Sequence, residues 1–173
     1  SINKKLLSLL AHHPIKLIHP IHNQKWIIRK ETNGEKISQR KSPKKGRVEE
    51  IFREIVRAHK PFTYPNLELC VAIVNINEIW TNDGEGSWRR KFWSITDQTL
   101  ISVEKTISFK SPSDYINLIP KRLLPKFTNS DLAVTLKIPD HLARKMTYSL
   151  RKMNLLEVVE IKGNTHIHSI RET

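Results

Sequence analysis

The residues best placed to act on another molecule lie in the segment "DHLARKMTYSLRKM", residues 140–153. Arg144, Tyr148 and Arg151 recur at i, i+4 and i+7, so a helix puts them on one face, with Lys145 beside them. Cationic and phenolic side chains on one helix face are the types that meet phosphates and base edges in the DNA major groove. Lys162 and Asn164 fall in a turn shortly afterwards, where they are expected to touch a phosphate or the minor groove. A helix and hairpin of this kind also serves to dock on protein, and that alternative stays open. A second candidate is "RKSPKKGR", in which Arg40, Lys41, Lys44, Lys45 and Arg47 are cationic. Cations in this density supply phosphate affinity and salt dependence without sequence information. A solvated loop carries the same composition.

Three further patterns carry less. "SWRRKFW" interleaves aromatic residues with Arg89, Arg90 and Lys91, the composition of a base-stacking surface that also holds phosphates. Its strict alternation equally predicts a strand with Trp88 and Phe92 facing a core and Arg89 and Lys91 in solvent, and this is the preferred reading. Pro139-Asp140 followed by Glu160-Ile161-Lys162 spells PD…ExK. Metal-dependent cleavage through that pattern needs two carboxylates on neighbouring strands converging on Mg²⁺. Here Asp140 opens a periodic helix, where a carboxylate serves the dipole. The match reads as coincidence, and no catalytic or metal-binding residue is assigned. His12, His13, His19 and His22 lie close in sequence without a cysteine or carboxylate pattern to make a zinc site, and His166 and His168 share one face of a terminal strand. No G-x-S-x-G, P-loop or G-x-G-x-x-G motif occurs.

The elements that must position these residues follow from periodicity. "INKKLLSLLAHH" has Ile2, Leu6, Leu9 and Leu10 at helical spacing and stops at Pro14. "IKLIHPI" and "KWIIRK" predict two short strands around Asn23, and residues 40–47 a basic loop. "VEEIFREIVRAH" predicts a helix with Val48, Ile51, Phe52, Ile55 and Val56 on one stripe. "LELCVAIVNINEIW", "SWRRKFWSI" and "LISVEKTISF" predict a three-stranded antiparallel meander, and Ser113 and Asp114 a cap on a short helix reaching Leu118. Near the end, Thr128 is a predicted N-cap with Asp131 in the first turn. A helix, the tight link "KIP", a second helix with Ala143, Met146, Leu150 and Met153 on its apolar face, Asn154 as C-cap, and the hairpin "LLEVVEIK"–"GNT"–"HIHSI" complete the chain. That order predicts a winged helix-turn-helix.

The charge supports a polyanionic partner. Among 173 residues the formal net charge is +13. It is concentrated in residues 1–60, with 15 Lys and Arg against 5 Asp and Glu; residues 127–173 have 7 against 5. Nucleic acid is the first expectation for such a balance. No run of 18 apolar residues is present, no secretory signal is visible, and the lone Cys70 sits in an apolar run, so no membrane partner and a reducing cytoplasmic location are expected, nucleoid-associated if the partner is DNA.

From "HHPIKLIHPI", "KWIIRK" and "RKSPKKG" through "GSWRRKFWSI" to "FTNSDLA", "LARKMTYSLRKM" and "KGNTHIHSI", the chain resembles a poorly characterised family of bacterial proteins with a restriction-endonuclease-like N-terminal part. The resemblance implies that residues 1–30 correspond to the back half of that fold. It also implies that the acidic half lies outside this chain, which has no aspartate before Asp83 and no glutamate before Glu31. The expected fold is therefore α+β in three segments: 1–47, an αββ remnant of a nuclease-like fold with the basic loop; 48–126, a helix and the antiparallel meander; and 127–173, the winged helix. The expected partner is duplex DNA, with RNA or a protein complex as alternatives. No cofactor is expected in this chain, and Mg²⁺ enters only if a nuclease half is supplied from elsewhere.

Overall fold

The computed structural model describes residues 2–171, and the side chain of Ile2 falls outside the described residues, as do Ser1, Glu172 and Thr173. The fold is α+β: helices combine with a four-stranded and a three-stranded sheet. Contacts divide it into two units. One comprises Ser1–His19, Glu49–Cys70 and Ser108–Thr173, and the other Pro20–Val48 and Val71–Ile107.

The four-stranded sheet has the order β2-β1-β3-β4, from β1 (Ile15–Lys30), β2 (Lys36–Lys41), β3 (Leu67–Thr81) and β4 (Ser94–Phe109). The two short strands expected around Asn23 are one continuous β1. β2 pairs antiparallel with Trp26 to Lys30 of β1, so that ladder does not reach Pro20. Arg40 and Lys41, expected in a loop, are the last residues of β2, paired with Ile27 and Trp26. The segment after them is pinned back onto β1 by Ser42 N donating to the Lys25 carbonyl (2.7 Å) and Gly46 N to the His22 carbonyl (2.8 Å). Gly46 approaches β1 so closely that a Cβ there would lie 2.5 Å from the His22 carbonyl oxygen.

The expected middle strand of the meander does not form. Residues Trp88–Arg90 make a single 3₁₀ turn, and Lys91 and Phe92 adopt left-handed backbone (φ 53° and 65°), which is incompatible with a strand. Only β3 and β4 carry this part of the sheet, and Trp88 and Phe92 face solvent rather than a core. The buried Ala72, Val74 and Ile76 of β3 form an apolar cluster in this unit. Glu78, also on β3, is 2% exposed. Lys25 Nζ donates to both of its oxygens at 2.9 Å, and Trp80 Nε1 and Gln98 Nε2 donate at 2.8 Å. Burial alone would push this carboxyl up; the lysine and the two neutral donors more than offset that and hold it below the ordinary range.

In the other unit, α1 (Ile2–Leu10) forms as its apolar spacing predicts. The helix expected over 48–59 is a 3₁₀ turn, Val48–Ile51, leading into a four-residue α2, Phe52–Ile55. Ile51, Phe52 and Ile55 are buried as the stripe required. The helix is cut short because four of its apolar positions are β-branched, with low helix propensity, and Pro61 lies close behind. Tyr115 is 2% exposed, stacks on Phe109 (4.6 Å between centroids) and meets Phe52 and Phe62 edge-on. It lies on a 3₁₀ turn, Pro112–Leu118, capped by Ser111 and Asp114 in a reciprocal pair rather than by Ser113.

Candidate nucleic-acid interface

The candidate surface is assembled from the last elements of the chain: β5 (Lys126–Thr128), α3 (Asn129–Leu136), α4 (Asp140–Lys152), β6 (Leu156–Lys162) and β7 (Thr165–Ile170). Thr128 caps α3 as expected: its hydroxyl accepts from Asp131 N (3.1 Å) and the Asp131 carboxylate accepts from Thr128 N (2.8 Å). Lys137 at φ 54° turns the chain, and α4 starts at Asp140. Asn154, expected as the C-cap of α4, lies one residue past the cap Met153, in the left-handed conformation (φ 59°) that asparagine tolerates. β6 and β7 pair antiparallel around Gly163, and β5 pairs antiparallel with the other side of β7, giving the order β5-β7-β6.

α4 has two distinct faces. Leu142, Ala143, Met146 and Leu150 are buried against α2 and α3, with no more than 1% exposed. Thr147, on the same side, donates to the Asn129 side-chain oxygen at the start of α3 (2.7 Å). Arg144, Tyr148 and Arg151 are exposed, as their spacing predicted, and Lys145 is half-buried. Among the described residues, neither Arg144 nor Arg151 forms an ion pair, so both charges remain open to a ligand. Lys152 Nζ sits 5.7 Å from the Tyr148 ring centroid and adds a cation at the same edge.

This exposed stripe flanks the hairpin. Arg144 shares a cleft with Asn164, Thr165 and His166 at the hairpin tip and with Asn129 and Ser130 at the start of α3. Tyr148, Arg151 and Lys152 share another with Leu156, Glu157 and Arg171 at the hairpin base. The structure thus brings Arg144 and Asn164 together. Lys162 is partly neutralised by Glu160, 3.4 Å away. Asn129, Ser130 and Thr165 were missed from sequence, and His166 was read only as sharing a strand face with His168; the first two follow an N-cap signal and so had a readable position, while the others depend on the hairpin register.

His168, on β7, is 1% exposed, and among the described residues its ring nitrogens have no hydrogen-bond partner. It lies against Phe127 (5.9 Å between centroids). Burial, then the positive charge of Arg151 and the neighbouring His166, lower its pKa to about 4, so it is neutral at ordinary pH.

The remaining predicted cations lie on the other unit. Lys41 Nζ sits 5.5 Å from the Trp26 ring centroid, on the strand that also carries Arg40. Lys44, Lys45 and Arg47 are exposed in the pinned segment. Arg89 lies over the Trp88 ring (5.5 Å), and Arg90 Nε donates to the Trp93 carbonyl (3.1 Å). Arg29 is held between Trp80 and Trp93, 5.6 and 5.1 Å from their ring centroids, a site no sequence pattern singled out.

Asp140 lies in the first turn of α4, and Glu160 and Lys162 lie on β6. Among the described residues, no group of three or more His, Cys, Asp or Glu side chains gathers to hold a metal ion. Asp140 and Glu160 thus do not lie on neighbouring strands, the placement that the PD…ExK pattern needs. Among the described residues, no helix is long and apolar enough to cross a membrane.

Residues 1–110 match the model of a family described as a domain of unknown function, DUF8091. The chain belongs to that family. The match takes in the four-stranded sheet through β4 and stops before β5–β7, so the candidate α4 surface lies beyond it. An uncharacterized protein of Treponema pallidum (strain Nichols) is 28% identical over 134 residues, covering 78% of this chain. The chain spans about half the length of that relative, 53%. No solved structure matches the chain.

Proposed function

We propose that the chain binds nucleic acid, with duplex DNA as its ligand, through the exposed face of α4 and the adjoining hairpin. The observation that carries the reading is the stripe of Arg144, Tyr148 and Arg151, exposed and without ion pairs among the described residues, beside a hairpin tip that offers Asn164. The order β5-α3-α4-β6-β7, with β5 beside β7, supports reading these elements as a winged helix-turn-helix. In that arrangement α4 enters the major groove and the hairpin follows the backbone. Arg144 and Arg151 then contact base edges or phosphates, Tyr148 stacks or donates to a phosphate, and Asn164 and Lys162 hold the flanking strand. Arg40, Lys41, Lys44, Lys45 and Arg47 contribute further phosphate contacts, giving affinity without specificity.

Binding of a labelled duplex at several salt concentrations tests this. Arg144→Ala combined with Arg151→Ala is expected to weaken affinity by roughly tenfold or more, at about 1–3 kcal/mol per good contact. Unchanged affinity in the double variant, with the fold intact, overturns the assignment to α4.

A further inference from the structure

The exposed aromatic knob at residues 86–93 has no part in the reading above. Trp88 is 73% exposed and Phe92 57%, yet the backbone beneath them is tightly tied. Gly86 N donates to the Phe92 carbonyl (2.8 Å), and Phe92 N returns to the Ser87 carbonyl (3.1 Å). Arg90 N donates to Ser87, Lys91 N to Trp88 and Trp93 N to Arg90, at 2.9 to 3.1 Å. A Cβ on Gly86 would lie 1.9 Å from the Trp93 carbonyl oxygen, so only glycine closes this loop. Lys91 and Phe92 occupy left-handed backbone, unusual for such side chains. Strained, well-tied backbone that pushes two large apolar rings into water costs stability, a cost that a ligand for the rings would offset.

The charge around the rings suits one class of ligand. Arg89 covers one face of Trp88 at 5.5 Å and leaves the rest of the ring open, and Lys91 is exposed beside it. An open indole face, a phenyl ring and adjacent cations match the repeating unit of an unpaired polynucleotide, a flat base followed by a phosphate. Two rings bury too little apolar surface to hold a protein on a bilayer, where even one acyl chain binds only marginally. We propose that Trp88 and Phe92 form a stacking platform for unpaired bases, with Arg89 and Lys91 on the flanking phosphates. This site belongs to the unit Pro20–Val48 and Val71–Ile107 and takes a different ligand from the α4 surface, so it stands or falls independently of duplex binding.

The test is fluorescence anisotropy of the full chain with labelled oligo-dT, oligo-rU and a blunt duplex, and sedimentation with vesicles containing phosphatidylserine. Trp88→Ala is expected to weaken oligo-dT binding roughly five- to a hundredfold while duplex affinity changes less than about twofold. Trp88→Phe keeps an aromatic face and is expected to retain most of the affinity. Phe92→Ala is expected to act in the same direction as Trp88→Ala. Equal loss on oligo-rU identifies the shared base-and-phosphate chemistry, and loss on oligo-dT alone assigns the platform to DNA. The proposal is overturned if oligo-dT does not bind, if Trp88→Ala leaves its affinity unchanged or lowers duplex affinity equally, or if only vesicle binding depends on Trp88.

Discussion

His168 shows how a single residue ties this protein to its solution conditions. Its imidazole is buried, without a hydrogen-bond partner among the described residues, and has a pKa of about 4, against 6.5 for the free side chain. The unfolded chain therefore binds a proton at a higher pH than the folded one, so the fold is penalised as pH falls. The neutral-histidine contribution is complete above about pH 6.5, declines through the interval and is gone near pH 4, amounting to about 3 kcal/mol at most. Urea unfolding at pH 7.5 and pH 5 should reveal the loss, and His168→Phe should flatten it. At the same scale, Glu78→Ala leaves Lys25, Trp80 and Gln98 facing an empty acceptor position and is expected to cost about 3 kcal/mol in urea unfolding. Neither residue was legible as special in the sequence. His168 was read only as one of two histidines on a strand face, and Glu78 was hidden within an apolar run, because burial depends on which strands lie alongside.

At the scale of elements, what could be read was what sequence-local physics decides. Thr128 and Asp131 satisfy each other across three residues, and α4 carries its own apolar stripe, so both appeared where expected. Thr128→Ala should lower stability by about 1 kcal/mol in urea unfolding, the usual loss for a removed N-cap. The segments that misled also had strong local patterns. "SWRRKFW" alternates like a strand, but the close approach of Gly86 to Trp93 and left-handed Lys91 and Phe92 close it into a knob. "VEEIFREIVRAH" has a helix's stripe, of which Ile51, Phe52 and Ile55 are buried, but too little helix propensity to extend it beyond α2. In both, periodicity reported which side chains repeat and not which backbone carries them. The basic segment is part strand and part pinned loop for a similar reason: its hydrogen bonds go to β1, far back in sequence. Of the candidate surface, the α4 stripe and the turn residue Asn164 could be read in advance. The cleft joining Arg144 to Thr165 and His166 could not, since it needs the hairpin folded beside the helix.

For the whole molecule, the two units are each built from separated stretches of chain. The family match ends at residue 110, while the charge excess lies in residues 1–60 and the α4 surface beyond residue 139. Affinity from the first and selectivity from the second is the division of labour that the proposed function requires. The net charge of +13 was legible from composition alone and is the global term behind it. The measurement that tests the central claim most directly is the affinity of the full chain for a short DNA duplex as a function of salt. Binding at low salt is expected to weaken steeply, with log affinity falling linearly against log salt by about 0.9 per phosphate contacted, and the Arg144→Ala, Arg151→Ala variant should lose about two contacts' worth of that slope. Absence of binding at low salt, or binding indifferent to salt, contradicts the account.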